Sequence, residues 1–217
     1  MSDVPAPPEA VIAVQDAAQF QVLTGASEAQ MADLERFREM LEAGNAVMNL
    51  VGPATLPDFW NRHAWDSAQL LRLAPEAKTW ADLGAGAGFP GLVLAILLKG
   101  VPGAKVHLVE SMAKRCRFLD QVARELALPV EIHNARAEDL SLTVDIVTAR
   151  ACAPMVRLLG YAQPYFKRGA RGLFLKGQDV VTELNEASTS WTLKARLIPS
   201  LSDARGQIVD VESLARA

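Results

Sequence analysis

Residues 79–91 read Thr-Trp-Ala-Asp-Leu-Gly-Ala-Gly-Ala-Gly-Phe-Pro-Gly, and no other stretch restricts the fold of this chain so tightly. A β-type run ends at Leu83, glycines follow at 84, 86 and 88, and Pro90 stands before the apolar run Leu92–Leu98. Glycine admits positive φ and lets a ligand approach where a Cβ would block it. Proline suits the first turn of a helix, where its missing N–H costs nothing. The apolar run is long enough for a buried helix and too short to cross a membrane. The stretch predicts strand, glycine loop and helix, with unpaired helix N–H groups directed at whatever anion the loop admits.

Two ligands compete for such a loop. Gly86, Gly88 and Gly91 fit the dinucleotide spacing G-x-G-x-x-G, and Glu110 lies far enough downstream to hold a ribose hydroxyl. Asp82 argues against a dinucleotide, because a carboxylate at the strand end repels a pyrophosphate. The same carboxylate suits a ligand with an ammonium group and a single carboxylate, the charge pattern of S-adenosylmethionine. Residues 82–88 resemble the D-x-G-x-G-x-G loop of class I methyltransferases.

With 217 residues, half of them apolar, the chain can bury one substantial core. Its start, Met1-Ser2-Asp3-Val4-Pro5, lacks a basic segment before an apolar run, so no signal peptide is expected. Cys116 and Cys152 have no C-x-x-C partner, which suits a reducing compartment, and a cytoplasmic location is expected. His63, His107 and His133 show no metal-ligand spacing, so no metal is expected. The net charge of −3 hides an asymmetry. Residues 1–61 carry two basic and nine acidic side chains, whereas residues 62–176 carry sixteen basic and ten acidic ones. A basic centre in an acidic protein points to a local anionic partner or to an ordinary solvated surface.

Residues 1–10 are rich in proline and alanine and read as a mobile tail. A short helix is expected over Val11–Thr24. A second follows the capping-box sequence Ser27-Glu28-Ala29-Gln30, with Met31, Leu34, Phe37 and Leu41 at helical spacing up to Gly44-Asn45. A third is expected from about Leu56, carrying His63, which Asp66 on the same face can satisfy unless it meets substrate. Beyond the glycine loop, strands are expected at Lys105–Glu110, Val130–His133, Val144–Ala149 and Gly172–Lys176. Helices are expected at Ser111–Leu126 and from Met155 to about Gln163. Thr192–Ile198 and Gln207–Val211 read as a closing strand pair. The expected organisation is a tail over 1–10, a helical preface over 11–75 and a ligand-binding domain over 76–217. Alternating strands and helices imply a mostly parallel sheet with helices on both faces and ligands at the strands' carboxyl ends.

Polar residues gather at those ends: Asp82, Glu110, Ala137-Glu138-Asp139, Arg150 and Lys176-Gly177. Glu110 is placed for ribose hydroxyls, and Glu138 with the backbone at Ala137 for an adenine edge. The helix after Glu110 carries Lys114, Arg115 and Arg117 in its opening turns, where the helix dipole disfavours cations. Its buried stripe is expected to be Met112, Cys116, Leu119, Ala123 and Leu126. The cations either meet phosphate or confer solubility.

Further motifs appear in order: Asn49-Leu50, Arg62-His63-x-x-Asp66-Ser67, the glycine loop through Gly91, Glu110-Ser111-x-x-Lys114-Arg115-x-x-Phe118-Leu119, Ala137-Glu138, Arg150-Ala151 and Leu175-Lys176-Gly177. Together they resemble the RsmG family, also called GidB, bacterial methyltransferases acting on N7 of a guanine in small-subunit ribosomal RNA. The resemblance spans about Asn49 to Gly177; Val51 and Pro53 depart from the family's preface loop. It implies a Rossmann-like class I methyltransferase fold after a small helical element, with S-adenosyl-L-methionine as cofactor. It implies 16S ribosomal RNA or the small ribosomal subunit as partner, with no membrane and no metal. Cofactor contacts are implied at Gly84, Phe89, Ala137, Glu138 and Arg150, beside the loop's own Asp82, Gly86, Gly88 and Glu110. Arg62, His63, Lys114, Arg115 and Lys176 are cast as RNA-binding or positioning residues. No catalytic base is expected, because guanine N7 already presents a lone pair. The rivals are a nicotinamide-dependent oxidoreductase, disfavoured by Asp82, and a non-catalytic RNA-binding module, disfavoured by the intact loop.

Overall fold

The computed structural model describes residues 11–217, so the expected tail at 1–10 lies outside the described residues. Strands β1 (Thr79–Leu83), β2 (Lys105–Val109), β3 (Val130–His133), β4 (Ile146–Arg150), β5 (Arg171–Lys176), β6 (Trp191–Pro199) and β7 (Gln207–Arg216) form one sheet in the order β3-β2-β1-β4-β5-β7-β6. β1 to β5 pair in parallel, and β7 runs antiparallel between β5 and β6. The order reverses between β1 and β4, the position at which such sheets open a crevice.

Alternation along the strands sends neighbouring side chains to opposite faces. Trp80, Val106 and Leu108 enter one apolar cluster with helices α2 (Glu28–Met48), α4 (Gly91–Leu97) and α5 (Ala113–Glu125). Ala81, Leu83 and Val109 enter a second with α6 (Met155–Phe166) and α7 (Val180–Ala187). Fully burying each large apolar side chain contributes about 1.5–3 kcal/mol, so both layers are anchored to the sheet. Phe20 of α1 (Ala17–Thr24), Phe37 of α2 and Leu70 of α3 (Asp66–Leu73) belong to the first cluster, which makes the preface part of the same core.

Several expectations need correction. α1 begins at Ala17, because the Asp16 side chain accepts from the Gln19 N–H and caps the helix there. The capping box at Ser27 and Gln30 is present, but α2 runs past Gly44-Asn45 to Met48. Gly44 is a packing glycine: a Cβ there would lie 3.0 Å from Leu50 and 3.0 Å from Phe118. The helix stops at Asn49, which takes the left-handed conformation with φ +48°. The third expected helix is instead a 3-10 turn at Pro53–Thr55, a π-helical segment at Phe59–Trp65 and then α3. Met112 precedes α5 and is 42 % exposed; Phe118 and Val122 join Cys116, Leu119 and Leu126 in the buried stripe. α7 is an element beyond those expected; its eight residues bury Val180 and Ala187.

The closing pair carries a buried charge. Asp210 on β7 is fully buried and accepts from Arg171 Nε at 2.6 Å, Arg171 Nη2 at 2.7 Å and Arg196 Nε at 2.6 Å. Burial acts to raise its carboxyl, but Arg171 and Arg196 overcome this and hold it below the usual carboxylate range. A carboxyl depressed in the folded state contributes stability above its unfolded pKa and loses it as pH falls through the folded value. Asp210→Asn is therefore expected to cost about 1.5–3 kcal/mol at neutral pH. It should also shrink the loss of stability seen below about pH 4, as checked by urea unfolding across pH.

Candidate active site

The loop after β1 is held from beneath and from one side. Glu110 follows β2 and is buried; its Oε2 accepts from Gly86 N–H at 3.0 Å and its Oε1 from Met112 N–H at 2.8 Å. Gly84, Gly86 and Gly88 all have positive φ, at +70°, +55° and +98°. Their missing side chains serve different ends. A Cβ on Gly84 would lie 2.7 Å from Cys152 Sγ, whereas one on Gly86 would project into open space with only the Gly84 carbonyl oxygen near, at 3.6 Å. Gly88 is buried and leaves room for Leu92, so it shapes the loop–helix junction and does not line the cleft.

Asp82 departs from expectation. It is fully buried beneath the loop, where its Oδ2 accepts from Gly91 N–H at 2.9 Å. Alternation along β1 turns it inward, and Gly91 admits it because a Cβ there would lie 2.8 Å from that oxygen. Oδ1 has no hydrogen-bond partner. Burial pushes the carboxyl up to about 7, Glu110 adds to this, and Gly91 N–H and Arg150 oppose it. A carboxyl raised in the folded state binds more protons than in the unfolded chain between about pH 4 and 7, so its contribution declines as pH rises through that window. Asp82→Asn removes that titration. Its melting temperature relative to the unsubstituted protein is expected to improve steadily from pH 4 to pH 8, a trend that scanning calorimetry would check.

Arg150, at the end of β4, ties the sheet to the preface. Its Nη1 donates to the Arg62 carbonyl oxygen at 2.7 Å and lies 3.4 Å from Asp66 Oδ2, and its Nη2 meets His63 Nδ1 at 3.1 Å. The guanidinium also sits 4.8 Å from the centre of the Phe89 ring. His63 stacks on Phe89 with ring centres 4.6 Å apart, and its Nε2 lies 3.0 Å from Thr55 Oγ1. Accepting from Arg150 at Nδ1 leaves the ring proton on Nε2, facing Thr55. Burial, then Arg150 and Arg62, lower the imidazole to about 3, so it is neutral at physiological pH. The expected His63–Asp66 pair does not form: Asp66 is taken by Arg150, by Ser202 Oγ at 2.6 Å and by Gln69 Nε2 at 3.2 Å.

These residues surround a cleft along the carboxyl ends of the strands. A lobe of about 530 Å³ lies among the glycine loop, Phe89, Arg62, His63, Arg150 and Lys176. A second, of about 290 Å³, lies among Glu110, Met112, Ala137, Glu138, Cys152 and Tyr161. Gly84, Arg115 and Ala151 line both lobes and join them. Arg115 stands 3.8 Å from Glu110 and has a buried Nε without a partner, so it belongs to the inner wall. Lys176 is drawn away from any phosphate by Glu183 at 2.6 Å and the Ala153 carbonyl oxygen at 3.1 Å. Lys114 is exposed and outside the cleft. The hairpin between β6 and β7 closes one side through Ser202 and Asp203, the latter paired with Arg62 at 2.9 Å; no local pattern announced it.

The cleft offers a fit for S-adenosylmethionine: open backbone at Gly86 and a carboxylate at Glu110 beside the smaller lobe. Among the described residues no helix is long and apolar enough to cross a membrane.

A profile of the GidB family, described as rRNA small subunit methyltransferase G, matches residues 30–209. A ribosomal RNA small subunit methyltransferase G from Caulobacter sp. strain K31 is 72% identical over 199 residues, covering 92% of this chain and 90% of the relative. One from Caulobacter vibrioides strain NA1000 is 66% identical over 214 residues, covering 99% and 98%. In fold, the chain is similar to a SAM-dependent methyltransferase from Aquifex aeolicus, with TM-score 0.56 and 14% identity, over 78% of this chain and 98% of that one.

Proposed function

Because the chain belongs to the family of rRNA small subunit methyltransferase G, we propose that it methylates N7 of one guanine in 16S ribosomal RNA. It is an S-adenosylmethionine-dependent methyltransferase of small-subunit ribosomal RNA; the base, the atom and the residue roles are the proposal. The observation that carries it is the two-lobed cleft over the glycine loop. Glu110, Ala137 and Glu138 hold the adenosine in the smaller lobe, and the backbone at Gly84 and Gly86 with Phe89 and Arg150 holds the methionine end. When bound, S-adenosylmethionine supplies an activated methyl group.

The chain's own residues then have little bond-making to do. Guanine N7 presents an in-plane lone pair and no proton, so no general base is needed. The titratable groups agree with that. His63 is neutral with both ring nitrogens engaged, and burial, Asp82 and Glu110 push the Cys152 thiol up to about 11. Acceleration then arises mainly from holding base and donor in line. The Arg150–His63–Phe89 stack forms the rigid wall against which both are placed, and Arg62 and Lys114 meet phosphates outside it.

Lys114→Glu is expected to weaken RNA binding, lower the salt dependence of that binding by about one charge and leave cofactor affinity unchanged, as read by filter binding and calorimetry. The function itself is tested by transfer of labelled methyl to ribosomal RNA from cells lacking this protein, with the product base identified by mass spectrometry. A single 7-methylguanine in 16S RNA, whether on free RNA or on small subunits, is the expected result. Methylation at another atom or in another RNA would overturn the assignment.

A further inference from the structure

His107 and His133 are far apart in sequence, but the parallel register of β2 and β3 sets His107 beside Glu131, with His133 two residues further along the same face. His107 Nδ1 and His133 Nε2 lie 3.0 Å apart. Glu131 Oε2 is 3.9 Å from the first of these nitrogens, and Glu131 Oε1 is 3.7 Å from the second. The two imidazoles are largely buried, with side-chain exposures of 11% and 15%, while Glu131 is 46% exposed and leaves the group open to solvent. A doubly wound sheet usually covers this face with the helix that follows β3. Here the crossover to β4 holds only the short turn Ala137–Asp139.

We infer that His107, His133 and Glu131 form a binding site for a borderline divalent first-row cation, Zn2+ foremost, on the open face of the β2–β3 edge. Two nitrogens each about 2.0–2.1 Å from one tetrahedral ion stand about 3.3 Å apart. The two nitrogens therefore need to part by only a few tenths of an ångström to share an ion, and the half-exposed Glu131 side chain turns in as the third donor, with the fourth position left to water. Two imidazoles and one carboxylate suit zinc, nickel or copper and are poor ligands for magnesium or calcium, which favour all-oxygen shells. In the metal-free pair, one of the two facing nitrogens carries the proton between the rings. On binding, that proton moves to the same ring's other nitrogen, so no net charge leaves the rings. Lys105, which pairs with Glu131, is half exposed and is the competitor that the ion displaces.

The site's role follows from its place. β3 is the outermost strand of the sheet, paired on one side only. The carbonyl oxygen of His133 accepts the Glu110 N–H at 3.0 Å. An ion bridging β2 and β3 clamps that edge next to the strand end that sets Glu110.

The test is calorimetric titration of the full chain, free of cofactor, with Zn2+ at pH 7.5, together with the visible spectrum of the Co2+ form. One ion per chain is expected, with d–d bands of a nitrogen–oxygen site and a higher melting temperature at saturation. His133→Asn should weaken binding at least tenfold. Lys105→Met, on an exposed position that does not threaten folding, should tighten it several-fold by freeing Glu131. No binding at millimolar Zn2+ would show that the rings are a hydrogen-bonded pair and nothing more, and would overturn the inference. So would binding undiminished by His133→Asn, which would place the ion elsewhere, for example on Cys152. Affinity unchanged in Lys105→Met would remove Glu131 from the ligand set and overturn the three-donor site.

Discussion

Gly86→Asp is expected to reduce S-adenosylmethionine affinity at least a hundredfold while the protein stays folded. Gly86 is the loop position whose added Cβ would project into open space, and its N–H is the one that Glu110 accepts. An aspartate there places a second carboxylate beside Glu110 and fills the volume left for the ligand. A hundredfold loss corresponds to about 2.8 kcal/mol, within reach of like-charge repulsion and lost space in a partly desolvated cleft. The cost to the fold is smaller. Aspartate is among the residues that tolerate left-handed φ best, so strain of about 1 kcal/mol is expected. In a chain of this size that lowers the melting temperature by about 2–4 °C. Titration calorimetry and a thermal melt on the same sample separate the two effects; a variant that binds normally would remove Gly86 from the cofactor site.

Arg150→Met should damage both stability and transfer. The guanidinium joins the Arg62 carbonyl, Asp66, His63 and the face of Phe89, four partners from the preface and the glycine loop. Methionine fills part of the volume and meets none of the polar groups. Removing one member of a buried pair costs about 3–5 kcal/mol when its partner is orphaned. Asp66 retains Ser202 and Gln69, so about 2–3 kcal/mol is expected, read by chemical denaturation. Arg150→Lys should recover little, because a single ammonium cannot reproduce a planar fork that spans several acceptors and stacks on an aromatic ring. Methyl transfer by both variants is expected to fall by at least tenfold, even at saturating cofactor. Full activity in Arg150→Lys would show that charge alone suffices and that the fork is dispensable.

What the sequence disclosed and what it withheld divide along contact distance. The strand–loop–helix at 79–97 was legible because glycine spacing, Pro90 and the apolar run are local, and the alternation of elements after it announced the parallel sheet. Fold class, cofactor and family followed from the same ordered motifs. The direction of Asp82 was not legible. Its place at the strand end suggested a ligand contact, but the pleat sends it under the loop to Gly91. His63 offers a similar lesson: spacing within one helix pointed to Asp66, and the π-helical turn carries the ring to Arg150, 87 positions away in sequence. The pairing of His107 with His133 depends on strand register, which no spacing rule within either strand contains. Lys176 and Arg115, both cast as RNA contacts, turn inward to Glu183 and Glu110; these partners are near in sequence, but they belong to neighbouring elements whose relative placement only the fold sets.

The measurement that tests the central claim most directly is a crystal structure with S-adenosylhomocysteine, the product that remains after transfer. The account predicts the adenine against Ala137 and Glu138, the ribose hydroxyls on Glu110, and the sulfur beside Gly84 and Gly86, facing the lobe walled by Arg150, His63 and Phe89. A ligand bound away from Glu110 and the glycine loop, with the two lobes left empty, would contradict it.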